Sequence, residues 1–198
     1  MISIGLTGGM GSGKTTISQI FQHLDVPVFN SDEMAKKSYF ESDIKDQVIG
    51  LLGNEAYDKE QLNRALISDR IFNDAELRSQ LENIIHPWVK KQWELFREEH
   101  FNCAYTIQES AIFKLPLDKT LHHGYIGVIA DRYLRIQRLR KRSSLSESEI
   151  QLRMDLQVSD DELSKQCDWI IHNENQHAVL PQVMSIHHAI LERIPNVK

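Results

Sequence analysis

The chain has 198 residues, of which 41% are hydrophobic, and this composition supports one well-buried core. The formal net charge of −5 excludes a general electrostatic attraction to nucleic acid or to an anionic membrane. Cys103 and Cys167 are far apart and lack metal-ligand spacing, so neither a zinc site nor a disulfide framework is expected. The start of the chain lacks the pattern of a signal peptide, and no stretch approaches the roughly 18 apolar residues of a membrane span. We therefore expect a cytoplasmic protein.

The first hundred residues begin with alternating elements and continue as helix. Residues 2–7 form a short apolar run before a glycine-rich turn, which predicts a buried strand. Residues 14–24 have apolar side chains at helical spacing, and residues 26–29 predict a second strand. Residues 33–100 then predict helices without a convincing strand, which is typical of a helical insertion.

The second half of the chain returns to alternating elements. Residues 103–107, 125–130 and 169–171 are apolar runs of strand length. A very basic helical stretch covers residues 132–157, and residues 178–194 predict a closing helix. Strands that alternate with helices indicate a parallel sheet covered on both faces. The sequence thus predicts the α/β class.

A phosphate-binding motif follows the first predicted strand and opens the first predicted helix. Residues 8–15 fit G-x-x-x-x-G-K-[ST] with Gly8, Gly13, Lys14 and Thr15. Such glycines let backbone N–H groups point at phosphate oxygens, and the helix adds its positive amino-terminal end. The lysine ammonium contacts the β- and γ-phosphates, and the threonine hydroxyl can ligate Mg²⁺. We therefore expect residues 8–15, named here the P-loop, to bind Mg-ATP.

The P-loop alone does not name the reaction, because ATPases, GTPases and small-molecule kinases all use it. The chain has no guanine-reading Asn/Thr-Lys-x-Asp motif and no obvious run of apolar residues that ends in paired acids. Small size and a basic helical stretch favour a nucleoside or metabolite kinase.

Asp32 follows the second predicted strand, where ligand chemistry occurs in doubly wound sheets. A carboxylate here could accept the proton of an attacking hydroxyl or orient that hydroxyl. It could equally cap the next helix, since short carboxylates favour helix starts. Position alone leaves both interpretations open.

Two segments near the amino terminus resemble dephospho-CoA kinases. The run Gly-Leu-Thr-Gly-Gly-Met-Gly-Ser-Gly-Lys-Thr-Thr at residues 5–16 is similar to the P-loop of that family. The family's second strand ends in Asp-Ala-Asp, whose second acid is catalytic, and Asp32 occupies that place. Asn30 departs from the pattern, because it stands where the family has its first Asp.

The helical middle carries further parts of the resemblance. The segment around Arg64 and the run Leu-Glu-Asn-Ile-Ile-His-Pro at residues 81–87 are similar to family segments of the acceptor-binding region. The resemblance implies that Arg64 and His86 contact dephospho-CoA. From the residues alone, Arg64 could be a solvated helix residue, and His86 before Pro87 could end a helix.

The third predicted strand shows a second departure. Its continuation at residues 108–114 lacks the acid that closes the family's segment, because Lys114 and Leu115 stand where that acid is expected. Glu109 lies about five residues upstream, and no replacement role is assigned to it. The departure concerns contacts on the acceptor side.

The basic stretch at residues 132–157, named here the lid, matches the family pattern of Arg-Leu-x-x-Arg followed by Arg-x-x-x-Gln. Arg138, Arg142 and Arg153 occupy its arginine positions and could close over the phosphates of ATP, whose oxygens suit arginine forks. A solvated or nucleic-acid-binding helix face is the alternative. Asn173 ends the family's Asp-x-x-Ile-x-Asn pattern near adenine, although it could simply end a strand in a turn.

Together, the residues and the resemblance imply an α/β, P-loop NTPase-type three-layer fold with a parallel sheet. We expect one domain over residues 1–198, with a core of 1–31 and 101–198, an acceptor-binding helical subdomain of about 32–100 and the lid. The implied reaction is ATP-dependent phosphorylation of the ribose 3′-hydroxyl of dephospho-CoA with Mg²⁺. The expected catalytic residues are Asp32 and Lys14, with Thr15 for the metal. The expected ATP-binding residues are Gly9, Met10, Gly11, Ser12, Gly13, Lys14, Thr15, Thr16, Arg142 and Asn173.

No nucleic acid or membrane partner is expected, and the chain is expected to be a monomer or a weak homo-oligomer. Two alternatives remain open at this stage. One is another P-loop kinase that acts on a metabolite or nucleoside. The other is a non-catalytic ATP-binding relative, which the departures at Asn30 and Lys114 motivate.

Overall fold

The computed structural model describes residues 2–111, 113, 116–143 and 145–193. The strands are β1 (Ile2–Thr7), β2 (Val28–Asn30), β3 (Tyr57–Asp58), β4 (Gln61–Leu62), β5 (Tyr105–Glu109), β6 (Gly124–Ile129) and β7 (Trp169–His172). The helices are α1 (Lys14–His23), α2 (Ser31–Ser38), α3 (Ser42–Leu52), α4 (Arg64–Asn73), α5 (Ala75–Glu99), α6 (Arg132–Arg142), α7 (Glu147–Asp155), α8 (Asp160–Gln166) and α9 (Val179–Arg193), with a 3₁₀ turn at Asn54–Ala56. None of these helices has the length and apolar character needed to cross a bilayer.

The chain forms two compact units. The first comprises Met1–Asn30 and His100–Lys198, and the second is the continuous segment Ser31–Glu99. In the described part of the first unit, a five-stranded parallel sheet has the order β2-β5-β1-β6-β7. The predicted α/β class with a parallel sheet is confirmed.

The central strand β1 is buried along its whole length, as expected for a parallel strand with neighbours on both sides. Its register with β5 pairs Leu6 with Glu109, so both strands end at the same edge of the sheet. Ile17 and Phe21 of α1 join the apolar core that β1, β5, β6 and β7 form. Helix α9 adds Val183, Ile186 and Ile190 to that core. This packing fixes the start of α1 beside the carboxyl ends of the strands.

Three details differ from the sequence-based expectations. The strand predicted at 103–107 begins at Tyr105, because the chain is still turning where the Cys103 N–H donates to the His100 carbonyl at 3.0 Å. The short hairpin β3–β4 lies in the segment predicted to lack strands, with Lys59 in its turn at a φ of 57°. Two-residue strands are too short to show an alternating pattern. Helix α8 was also not predicted, because its seven residues are too few to show a clear helical spacing of apolar side chains.

In the second unit, helices α2, α3 and α4 each pack against the 25-residue helix α5. Helix α5 buries Leu81, Ile85, Val89 and Trp93, which recur at four-residue spacing along one face. The expectation that His86 could end a helix is wrong, because α5 continues through Pro87. The buried face on both sides of Pro87 explains why the loss of one backbone donor does not end the helix.

Candidate nucleotide-binding site

The P-loop connects the end of β1 to the start of α1, as the motif predicts. Gly13 caps α1 with a left-handed φ of 98°, which favours glycine. A Cβ at Gly13 would lie 2.0 Å from Asn173 Nδ2, so a larger residue would also displace that side chain. The carbonyl of Gly13 accepts the Thr16 N–H at 3.0 Å, which starts the first turn of α1. This turn presents the amino-terminal end of α1 to the loop.

The side chain of Lys14 folds back along the P-loop. Its Nζ atom donates to the Gly8 carbonyl at 2.7 Å and to the Gly9 carbonyl at 3.4 Å. The ammonium is therefore held at the beginning of the loop, beside the end of β1. A cation at this position can neutralise the charge of a bound terminal phosphate.

Asn173 and Arg138 hold the other end of the P-loop. Asn173 Nδ2 donates to the Ser12 carbonyl at 2.7 Å. Arg138 Nη1 donates to the carbonyls of Gly11 and Ser12 at 3.2 and 3.3 Å, and its Nη2 donates to the Asn173 carbonyl at 3.0 Å. Two segments that are distant from the loop in sequence thus fix its backbone through the carbonyl groups of Gly11 and Ser12. Sequence analysis selected both side chains, but not this mode of contact.

Arg135 is a buried cation that contacts the middle of the P-loop. Its Nε atom donates to the Met10 carbonyl at 2.8 Å, and its Nη1 lies 3.1 Å from Asp160 Oδ1. A Cβ at Gly9 would lie 2.0 Å from Arg135 Nη2, so glycine permits this close approach. Burial lowers the pKa of the Arg135 guanidinium and raises the pKa of the Asp160 carboxyl, although each charge opposes the shift of the other. The pair links α6, α8 and the loop.

Gln157 contacts the same loop residue from the carboxyl side of α7. The Met10 N–H donates to Gln157 Oε1 at 2.8 Å. Arg135 donates to the Met10 carbonyl, and Gln157 accepts from the Met10 N–H. Side chains therefore fix both backbone groups of Met10. The lid segment therefore contacts the P-loop directly.

A buried carboxylate lies at the end of β5, next to the strand that carries the P-loop. Glu109 is 4% exposed, and its Oε2 accepts hydrogen bonds from Ser18 Oγ at 2.7 Å and from Asn30 Nδ2 at 3.2 Å. Ser18 is three residues after Thr15 on α1, and residues at this spacing share a helix face. The contact therefore brings Glu109 to the face of α1 that begins with Thr15.

The oxygen groups around this face suit a hard cation. Thr15 presents an exposed hydroxyl in the first turn of α1, and Glu109 supplies a carboxylate one turn along. Hydroxyl and carboxylate oxygens are ligand types that suit Mg²⁺. Within the P-loop, Ser12 Oγ is buried and has no hydrogen-bond partner among the residues that the structure describes. These groups fit a magnesium–phosphate ligand.

Arg142 and Arg153 lie on α6 and α7. Arg142 is exposed and Arg153 is half-buried. Neither makes a hydrogen bond or an ion pair with any residue in the described ranges. A capping box starts α7, with both hydrogen bonds between Ser146 and Glu149 present. The two cationic side chains are thus carried by capped or regular helices at the solvent surface.

The expected acceptor-side residues belong to the second unit. Asp32 is half-buried in the first turn of α2, which begins at Ser31, so the expectation that Asp32 precedes that helix as its cap is wrong. The helix starts directly after β2, which leaves no separate capping position for Asp32. Arg64 opens α4 and His86 lies within α5, and both are exposed. Lys114 and Leu115, which stand where the family's acid is expected, lie outside the described residues.

Sequence reasoning missed the contacts of Arg135, Gln157 and Glu109. Arg135 and Arg138 are three residues apart on α6, a spacing that could have placed both on one face. Gln157 ends the Arg-x-x-x-Gln pattern, although that pattern does not say what the amide contacts. The contacts of Glu109 could not be predicted without the strand order of the sheet. In that order β5 lies between β1 and β2, although it follows both of them in the chain.

The chain is similar to known proteins along nearly its whole length. The family model for dephospho-CoA kinase matches residues 2–178. A dephospho-CoA kinase of Porphyromonas gingivalis is 33% identical over 198 residues, covering 99% of this chain and 98% of that protein. A crystal structure of a Thermus thermophilus protein has a TM-score of 0.80 at 27% identity, covering 97% of both chains. Dephospho-CoA kinase from Campylobacter jejuni has a TM-score of 0.60 at 23% identity, covers 95% of this chain and 96% of its own, and supports the fold alone. The chain belongs to the dephospho-CoA kinase family.

Proposed function

We propose that the chain transfers the γ-phosphoryl group of ATP to the ribose 3′-hydroxyl of dephospho-CoA, which gives ADP and coenzyme A. This is the last step of coenzyme A biosynthesis. The observation that carries the proposal is the formed P-loop in a chain whose family match covers residues 2–178. The match favours neither a different metabolite kinase nor a non-catalytic relative.

On the nucleotide side, ATP lies along residues 8–16, with its phosphates against the backbone N–H groups and the start of α1. Lys14 neutralises the β- and γ-phosphates, and the contacts of Lys14 with Gly8 and Gly9 support this role because they hold its ammonium at the loop. Asn173 and Arg138 stabilise the loop and frame the adenine side. A rigid loop lowers the reorganisation needed during transfer.

The metal side of the site is formed by Thr15, with Glu109 one turn along α1. When bound there, Mg²⁺ supplies charge neutralisation between the β- and γ-phosphates. Ser18 and Asn30 hold the Glu109 carboxylate in place through its Oε2 atom. This arrangement gives the site an acid that the sequence pattern alone did not indicate.

On the acceptor side, Asp32 orients the 3′-hydroxyl or accepts its proton. A bond forms between the 3′-oxygen and the γ-phosphorus, while the bond from that phosphorus to the β-phosphate oxygen breaks and leaves ADP. Arg64 and His86 bind the acceptor. The family pattern at the end of β2, which Asp32 follows by two residues, supports this assignment.

Arg142 and Arg153 contact the phosphates when the lid closes. The exposure of Arg142, the partial exposure of Arg153 and the lack of ion pairs of both within the described residues support this role, because such cations are available to a phosphate ligand. Closure also keeps water from the γ-phosphate. We further propose a single functional domain in which residues 32–100 serve the acceptor, a cytoplasmic location, and a monomer or weak homo-oligomer.

The test is the identity of the product. Purified protein is incubated with Mg-ATP and dephospho-CoA, and the product is examined by phosphorus NMR and mass spectrometry. We expect a new phosphomonoester on the ribose 3′-position. A phosphorylated nucleoside or shikimate from a parallel acceptor panel, without a dephospho-CoA product, would contradict the proposal.

A further inference from the structure

Arg135 is a cation of the lid whose contacts have no role in the mechanism proposed above. The residue is only 6% exposed, so its guanidinium is withdrawn from solvent. Its Nε atom donates to the Met10 carbonyl at 2.8 Å, and its Nη1 atom donates to Asp160 Oδ1 at 3.1 Å. One planar fork of donors therefore joins the backbone of the P-loop to the first turn of α8.

The two glycines that flank Met10 leave room for Arg135. A Cβ at Gly9 would lie 2.0 Å from Arg135 Nη2, and a Cβ at Gly11 would lie 2.8 Å from the Arg135 carbonyl oxygen. Gly11 also has a φ of 73°, which favours glycine. The P-loop can pass this close to α6 because neither position carries a side chain.

The contact with the Met10 carbonyl has a consequence for the next N–H group of the loop. The Met10 carbonyl and the Gly11 N–H belong to one planar peptide unit, which in its usual trans form points them in opposite directions. Because Arg135 holds the carbonyl, the Gly11 N–H is directed away from Arg135. The Met10 N–H is already engaged by Gln157 at 2.8 Å. Phosphate binding therefore depends on the N–H groups that follow Met10, and that of Gly11 is the first of them.

Stability alone does not account for this ion pair. Withdrawing charges from water is costly, and apolar side chains of similar volume are often as stable as a buried ion pair or more stable. The side chain of Arg135 is 8% exposed and that of Asp160 is 31% exposed. An apolar side chain at position 135 could pack against α8, but it could not hold a loop carbonyl. The fork of donors is the property that only arginine supplies here.

We propose that Arg135 and Asp160 form a positioning pair for the P-loop. Asp160 orients the guanidinium of Arg135, which holds the Met10 carbonyl. The held peptide unit directs the Gly11 N–H toward the phosphates of ATP. This inference rests on the nucleotide side of the proposed function, and it adds two residues that act through the loop and do not touch substrate.

Asp160→Asn tests the pair with little change in size, because the amide keeps an oxygen but loses the charge that orients Arg135. We expect the Kd for Mg-ATP to rise roughly tenfold, as for a weakened hydrogen bond between charged groups, while the Kd for dephospho-CoA changes by less than about twofold. Asp161→Asn is the matched control. Asp161 is exposed in the same first turn of α8 and makes no hydrogen bond or ion pair with the residues that the structure describes. Calorimetry should find wild-type affinity for both ligands in this control.

A double-mutant cycle shows whether Asp160 acts through Arg135. Arg135→Met removes the fork of donors and should raise the Kd for Mg-ATP at least about tenfold. In that background, Asp160→Asn should add less than about twofold, because its partner is already gone. Urea unfolding checks that each variant is folded. If Arg135→Met does not fold, the comparison of Asp160→Asn with Asp161→Asn decides the matter alone.

Three results would overturn the proposal. They are wild-type affinity for Mg-ATP in Asp160→Asn, an equal loss of affinity for Mg-ATP and dephospho-CoA in that variant, and additive losses in the double variant. The failure of the proposed function gives a different result. If the wild type binds Mg-ATP but does not phosphorylate dephospho-CoA, the reaction is wrong, whereas the Mg-ATP affinities of the variants still decide whether the pair positions the loop.

Discussion

Replacing Asn30 by Asp restores the acid of the family pattern, yet we expect it to destabilise this chain. Asn30 Nδ2 donates to Glu109 Oε2 at 3.2 Å, and Glu109 is 4% exposed. An aspartate of the same size would place a second carboxylate against the first. The amide at position 30 therefore suits the buried acid at position 109, which a second carboxylate would not.

The magnitude follows from the contact distance. At 3.2 Å and an effective dielectric constant of about 20, two unit charges repel by about 5 kcal/mol. The repulsion raises the pKa of the carboxyl pair above its unfolded value. The variant is therefore spared this cost below about pH 4, where the carboxyls are protonated in both states, and the cost develops as the pH rises through the folded pKa.

Urea unfolding at pH 5 and pH 8 measures this effect, with each variant compared with wild type at the same pH. We expect Asn30→Asp to lose more stability at pH 8 than at pH 5. Asn30→Ala, which removes the hydrogen bond without adding charge, should lose about 1–3 kcal/mol at both pH values. The double variant Asn30→Asp with Glu109→Gln should recover most of the loss. An Asn30→Asp loss equal to that of Asn30→Ala at both pH values would refute the reasoning.

Three further predictions concern the lid and the loop. Arg142→Gln and Arg153→Gln should each lower kcat at least about 100-fold with little change in ATP affinity. Arg140→Gln is the control and should leave kcat unchanged, because it removes only the exposed ion pair with Glu147, which contributes little to stability. Steady-state kinetics and nucleotide titration check both expectations. Ser146→Ala should lower the free energy of unfolding by about 1 kcal/mol, because α7 loses its cap. Urea unfolding measures this effect, and an unchanged urea midpoint would contradict the prediction. Asn173→Ala should weaken ATP binding roughly tenfold by releasing a loop carbonyl, and calorimetry that finds wild-type affinity would contradict it.

The parts of the fold that were predictable from the sequence have strong local signals. The buried strand at 2–7, the P-loop and the capped helix at Ser146 each depend on residues that are close together in the chain. Local patterns also located the main strands of the sheet to within two residues. The nature of the site as a phosphate-binding loop was predictable for the same reason.

The remaining features depend on tertiary contacts that a single sequence does not display. The Glu109–Asn30 contact exists because β5 pairs with both β1 and β2, although many residues separate these strands in the chain. In the sequence, Arg135 is one of several cations on α6, and nothing distinguishes it from the others. Only the packing of the P-loop against it shows that it is buried. Short elements such as α8 carry too few residues for periodicity to indicate them.

The most direct test of the central claim is ADP release in a coupled assay with Mg-ATP, with and without dephospho-CoA, for wild type and Asp32→Ala. The account predicts ADP release that depends on dephospho-CoA and falls at least about 100-fold in the variant. ATP binding should persist in both proteins. The account would be contradicted if the wild type bound ATP without turnover on dephospho-CoA. It would also be contradicted if the rate of ADP release were the same with and without dephospho-CoA.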